Sequence, residues 1–238
     1  MNLRIIIKTL GLLALLMGLA MGACWLFAMT VVHTEEQNDL NYSAQRALGI
    51  STGITIIIGF LMYLVGLRCR HELLRREAMI IVGLSWISVS LLGALPYCLC
   101  EPGLNIFDSI FESVSGFTTT GSTIMTNIEA FPKAILLWRS VTQWLGGIGI
   151  LVVFVAVLSF LGAGSRSIMQ QESSLNISDS GASRVRDIAF TLLKVYLTLT
   201  IICLLGLIAL GMPIFEAICH AMCTIATGGF SPKNLSIG

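Results

Sequence analysis

Five runs of this chain are long and apolar enough to cross a bilayer: Ile5–Val32, Ala47–Leu67, Ala78–Cys98, Ala134–Leu161 and Ile188–Met212. A spanning helix needs about 20 such residues. Lipid offers no partner to a backbone N–H or C=O, so such runs must form helices where they meet hydrocarbon. The composition agrees. Charged residues make up 11% of the chain and hydrophobic residues 55%, whereas a soluble domain carries about 25% charged residues. The chain is expected to be an all-α membrane protein with the lipid bilayer as its solvent. Its net charge is +1, and no basic run points to nucleic acid.

The first run could be mistaken for a leader, because it has a basic start (Arg4, Lys8) and small residues before Cys24. Leu10 to Val32 is free of charge, however, and a signal core runs only about 7–15 residues, which favours a retained helix. The seven cysteines lie mostly within apolar runs, and their odd number does not suggest a disulfide framework. They are expected to act as small apolar fillers.

Two further apolar segments, around Leu104–Thr119 and Pro213–Ala226, are too short to span. They are copies of one pattern. Phe107 matches Phe215, Asp108 matches Glu216, Ile110 matches Ile218, Thr119 matches Thr227 and Gly121 matches Gly229. Each copy is a short apolar helix running into a Thr/Gly stretch. Non-helical backbone survives at membrane depth only inside protein or lining a cavity, so the pair is expected to form re-entrant pore loops.

The loop Arg68–Glu77, with Arg68, Arg70, Arg75 and Arg76, falls on the same face as the N-terminus and as Arg166, Arg184 and Arg186 if there are five crossings. Basic loops mark the cytoplasm. The N-terminus is then cytoplasmic, and both short segments enter from the opposite face. That face carries Glu35, Glu36, Asp39, Glu101, Asp108, Glu112, Glu129 and Glu216.

A dehydrated cation such as potassium needs oxygen dipoles on all sides, and backbone carbonyls supply them without a fixed full charge. Glycine is needed where the backbone takes angles closed to other residues, the role expected of Gly121 and Gly229. Thr119, Thr120, Thr227 and Gly228 are expected to present the coordinating carbonyls. Each half-helix aims its partly negative C-terminus at the ion path. Asp108 and Glu216 fit helix N-terminal partners or cation attractors at the mouth. Glu112 fits a structural hydrogen bond behind the filter, and His220 is its equivalent in the second copy. Arg139 and Gln143 share a helical face, and so charged a residue near the membrane needs an acid or carbonyls as partner. Gly146, Gly147 and Gly149 allow either close helix packing or a gating bend.

Four stretches carry a resemblance: Gly93-Ala-Leu-Pro96, Phe111-Glu-Ser-Val-Ser-Gly-Phe-Thr-Thr-Thr-Gly121, Arg139-Ser-Val-Thr-Gln-Trp-Leu-Gly-Gly-Ile-Gly149 and Ala226-Thr-Gly-Gly-Phe-Ser231. At these residues the chain resembles the Trk/Ktr/HKT superfamily of potassium transporters, in its bacterial TrkH/TrkG branch. The resemblance implies four helix–pore loop–helix repeats, preceded by two extra helices, with one filter glycine from each repeat. It implies potassium uptake across the bacterial inner membrane, dimers and a cytoplasmic nucleotide-binding regulatory partner. On that pattern residues 1–70 are the two leading helices and 71–165 the complete first repeat. Residues 166–187 are a cytoplasmic linker, and 188–238 a second repeat lacking its last helix. Such a chain is the N-terminal half of the family pattern and supplies two of four filter strands. It is expected to conduct no potassium alone, and to need the remaining half of the transporter or a homodimer mate. A fragment, an interrupted gene and a half-channel are the competing explanations. The resemblance implies potassium as the transported ion, and no organic cofactor is expected. The alternatives are a membrane-embedded enzyme or a non-transporting scaffold. The first lacks a His-Glu-x-x-His or Ser/His/Asp set.

Overall fold

A computed structural model describes residues 3–34, 39–67, 75–170 and 180–236 of the chain. The basic loop residues Arg68 and Arg70, the acidic pair Glu35 and Glu36, and linker residues 171–179 lie outside the described residues. So do the side chains of Arg75, Arg76, Arg166, Arg184 and Arg186.

Among the described residues eight α-helices follow one another: α1 (Leu3–Thr34), α2 (Asp39–Gly66), α3 (Arg75–Gly93), α4 (Leu95–Leu99), α5 (Ile106–Phe117), α6 (Lys133–Gln170), α7 (Ser180–Ala209) and α8 (Ile214–Ile225). Five stretches within them are long and apolar enough to cross a membrane: Leu3–Val31, Asp39–Gly66, Glu77–Leu99, Lys133–Leu151 and Asp187–Ala209. These are the five runs expected from the sequence. The helices overrun the apolar runs at several ends, because a hydrogen-bonded helix has no reason to stop where the hydrocarbon does. α2 begins at Asp39 rather than Ala47, α6 continues to Gln170 and α7 starts at Ser180.

α1 and α2 form the most extensive helix pairing in the fold. Their backbones approach at Gly11 and Gly59, where a β-carbon on Gly11 would sit 2.8 Å from the Gly59 carbonyl oxygen. In lipid, small residues at a crossing bring backbones together and so take the place of a hydrophobic driving force.

The third run is not one straight helix. Pro96 has no N–H to give and breaks the ladder, so α3 ends at Gly93 and α4 restarts at Leu95. Tyr97 N–H turns to the Ala94 carbonyl (3.1 Å). The Gly93 carbonyl instead accepts from the buried Trp138 indole Nε1 at 3.1 Å. Trp138 also meets Phe117 edge-on, with ring centroids 6.3 Å apart. The break thus ties α3 to α6 and seats the end of α5 between them. Trp138→Phe keeps the ring packing but orphans the Gly93 carbonyl. An unsatisfied buried acceptor costs about 1–3 kcal/mol, so the variant should melt at a lower temperature in detergent. An unchanged melting curve would show that the bond contributes nothing.

α7 is the least buried spanning helix, with 6% of its apolar window covered. A ring of polar bonds holds it to α6: Tyr196 hydroxyl to the Trp144 carbonyl (3.1 Å), Trp144 Nε1 to Thr200 Oγ1 (3.2 Å) and Thr200 Oγ1 to the Tyr196 carbonyl (2.8 Å).

Candidate functional site

α5 and α8 are the same helix twice. Each has 12 residues, and both ends fall at the spacing of the sequence repeat. α5 opens with a reciprocal cap. Asp108 N–H donates to Asn105 Oδ1 (2.9 Å), and Asn105 Nδ2 donates to the Asp108 carboxylate (2.5 Å). The cap places a carboxylate at the positive end of the helix. In α8 the matching acid, Glu216, instead pairs with Lys233 at 2.9 Å.

The helix C-termini match bond for bond. Thr119 N–H donates to the Gly116 carbonyl and Thr120 N–H to that of Ser115, both at 3.0 Å. In the second copy Thr227 N–H reaches the Thr224 carbonyl (3.0 Å) and Gly228 N–H that of Cys223 (2.9 Å). This pair of bonds closes a helix around one left-handed residue, usually glycine. Here that residue is threonine, with φ 54° at Thr119 and 53° at Thr227. A β-branched side chain is rarely found there, and a residue held in this region costs about 1–3 kcal/mol. Two residues further on, Gly121 and Gly229 are left-handed again, at φ 75° and 99°. The backbone alternates its hand in both copies, at positions 119 and 121 and at 227 and 229.

The two segments meet at their glycines. A β-carbon on Gly121 would collide with the Gly228 carbonyl oxygen and lie 3.3 Å from the Gly229 α-carbon. The structure therefore brings Gly121, Gly228 and Gly229 together across about half the sequence. Thr118 and Thr120 exchange a hydroxyl hydrogen bond at 2.8 Å on the exposed side.

Behind the first segment lies a buried charge pair. Glu112 is fully buried and accepts from Arg139 Nε at 2.5 Å, from Thr123 Oγ1 at 2.9 Å and from Ile124 N–H at 3.2 Å. Arg139 Nη1 donates to the Ser231 carbonyl (3.0 Å), and its guanidinium lies 3.8 Å from the Phe230 ring centroid. The acid expected for Arg139 is thus Glu112, and carbonyl contact is made as well. One turn along α6, Gln143 Oε1 accepts from Phe230 N–H at 3.1 Å. Gly146 lies against the end of α5, where a β-carbon would strike the Phe117 carbonyl. Gly147 lies against the Tyr196 hydroxyl and Ala226. Both glycines serve close packing here.

The TrkH model, described as a cation transport protein, matches residues 46–238. The chain belongs to the TrkH family. It is 39% identical over its full length to the Trk system potassium uptake protein TrkH of Halomonas elongata, covering 48% of that protein. It is 40% identical over 197 residues, 82% of the chain, to the Escherichia coli K12 protein of the same name, covering 41% of it. The crystal structure of the potassium transporter TrkH from Vibrio parahaemolyticus superimposes with a TM-score of 0.82 at 32% identity, over all of this chain and 46% of that one. The chain spans about half the length of the TrkH relatives it matches.

Sequence reasoning did not find three parts of this site. The left-handed threonines leave no mark in their side chains; the available signal was their position, directly after a short helix where a glycine usually sits. Thr123 as a partner of Glu112 was missed. So was the clasp in which Asn234 Oδ1 accepts from Ile128 N–H (2.7 Å), Asn234 N–H donates to Glu129 (3.2 Å) and Asn234 Nδ2 donates to Asn127 Oδ1 (3.0 Å).

Proposed function

We propose that this chain supplies two of the four filter strands of a potassium uptake pore in the bacterial inner membrane. The alternating backbone hand supports this most directly. Successive carbonyls of an extended chain point to opposite sides. Left-handed residues at every second position turn those peptides over and bring neighbouring carbonyls to one side. Carbonyls of Thr119, Thr120, Gly121, Thr227, Gly228 and Gly229 so aligned would replace the water of potassium. The strained threonines fit this, since residues held in such conformations cluster at functional sites. The TrkH relatives, named for potassium uptake, point the same way.

In this reading the N-terminus is cytoplasmic and both loops enter from outside, as the basic loops require. The other filter strands come from the remaining half of a transporter or a homodimer mate, and a cytoplasmic nucleotide-binding protein regulates the assembly.

The test is a chimera in which residues 1–238 replace the matching half of the Halomonas elongata TrkH. In bacteria lacking other potassium uptake, it should restore growth at low potassium and take up rubidium. Gly121→Asp should abolish both. Uptake unaffected by substitutions at Thr119, Gly121 and Gly229 would leave a scaffold as the better reading.

A further inference from the structure

The two copies share their backbone but not their bracing. In the first, the half-helix braces its own strand. Ser115 Oγ donates to the Ser122 carbonyl at 2.6 Å, and Glu112 accepts from Thr123 and Ile124. At the matching positions of the second copy stand Cys223 and His220. Among the described residues no hydrogen bond is seen from either side chain to residues 229–236.

The second strand keeps one tie to its own half-helix, Lys233 to Glu216 at 2.9 Å, and is otherwise held from the first repeat, in three steps. Phe230 N–H donates to Gln143, the Ser231 carbonyl accepts from Arg139, and Asn234 bonds to the 127–129 turn. Gln143 is fully buried on α6, and among the described residues its Nε2 has no hydrogen-bond partner. It stands directly against Gly228, where any β-carbon would collide with the Gln143 amide. In the first copy the equivalent position is Thr120, whose hydroxyl bonds outward to Thr118. Gly228 is therefore a glycine because Gln143 occupies the space behind it.

We propose that Gln143 is a positioning residue for the second filter strand. With Arg139 and Asn234 it makes the geometry of that strand depend on the first repeat. This rests on the filter reading for its consequence, ion selectivity, but not for its structural part. Fixing Phe230 N–H fixes the peptide next to Gly229. A filter prefers potassium only while its carbonyls keep their number and spacing. Loosening this strand should therefore admit sodium before it stops rubidium.

The test has two arms. The first is hydrogen exchange by mass spectrometry on the chain in nanodiscs, which needs no ion flux. Gln143→Leu should speed exchange at Phe230 at least tenfold and leave peptides from α1 and α2 unchanged. Gln143→Glu, which burial holds in its neutral form, keeps an acceptor oxygen and should stay near the wild type. Asn234→Ala removes the bonds of an exposed side chain without opening the core, so it serves if Gln143→Leu does not fold; it should speed exchange at Ile128. Unchanged exchange at Phe230 in Gln143→Leu, or at Ile128 in Asn234→Ala, overturns the clasp. The second arm is sodium competition with rubidium uptake in the chimera. Gln143→Leu should lower the selectivity ratio about fivefold or more, with Gln143→Glu restoring most of it. Selectivity unchanged despite faster exchange overturns the positioning role. If instead wild-type uptake is indifferent to Gly121→Asp, the filter reading fails, and the exchange arm alone decides the clasp.

Discussion

Glu112→Gln should be among the most destabilising single substitutions in this chain, and Arg139→Met should match it. Both side chains are almost wholly out of solvent, at 0% and 2% exposure. Removing one partner leaves the other charge buried and unpaired, which costs about 3–5 kcal/mol. For a chain of this size that is a fall in melting temperature on the order of 10 °C. The double variant Glu112→Gln/Arg139→Met should recover a large part of the loss, because no isolated charge remains. Full recovery is not expected. Glu112 also holds Thr123 and Ile124, and Arg139 also holds the Ser231 carbonyl. Thermal unfolding of the four proteins in one detergent measures the cycle. Additive losses would mean that the pair is not coupled, and a single variant as stable as the wild type would mean that its partner is hydrated.

The reason for keeping so costly a pair is geometric. Its hydrogen bonds reach from the segment after Gly121 to the segment after Gly229. Apolar substitutes would fill the space but could not bond to Ile124 N–H and the Ser231 carbonyl together. Gln143 and Asn234 add bonds on either side. Four side chains thus help set the relative placement of two chain segments whose backbones meet at Gly121 and Gly228.

The parts of this arrangement that could be read from the sequence are the local ones. Apolar run length located the spanning helices, because lipid enforces helix wherever the run is long enough. The repeat located α5 and α8, since both copies preserve the same apolar face and the same Thr/Gly ending. The Pro96 break was within reach but was passed over. A run counted for hydropathy alone carries no record that proline lacks a donor. The ties between repeats were out of reach for a different reason. Gln143 and Phe230 are 87 residues apart, and Asn234 and Ile128 are 106 apart. No local pattern encodes which distant backbone group a buried amide will meet. Glu112 and Arg139 are closer, 27 residues apart. A partner for Arg139 could be anticipated, because a charge so near the membrane needs an acid or carbonyls, but not that it would be Glu112.

Gly121→Ala and Gly229→Ala should separate the two demands made on these glycines. Both positions are left-handed, at φ 75° and 99°, and a β-carbon there costs about 1–2 kcal/mol from the backbone alone. At Gly229 none of the described residues lies within 4 Å of an added β-carbon, so that strain should be nearly the whole cost to folding. At Gly121 the methyl would also overlap the Gly228 carbonyl oxygen, which is backbone and cannot swing aside. Gly121→Ala should therefore destabilise the chain more than Gly229→Ala and should force the two segments apart. Small-to-large changes in tight sites typically cost a further 1–3 kcal/mol. In the chimera, Gly121→Ala should abolish rubidium uptake, because the displaced carbonyl belongs to the opposite strand. Gly229→Ala should retain some uptake with weakened selectivity. The order is what matters. The sequence treats the two glycines as equivalents, and the close approach in the structure makes them unequal. If the two variants melt together and transport alike, the segments do not touch at Gly121 in the assembled pore. If Gly229→Ala proves the more severe, the open space beside Gly229 is filled there by another part of the transporter.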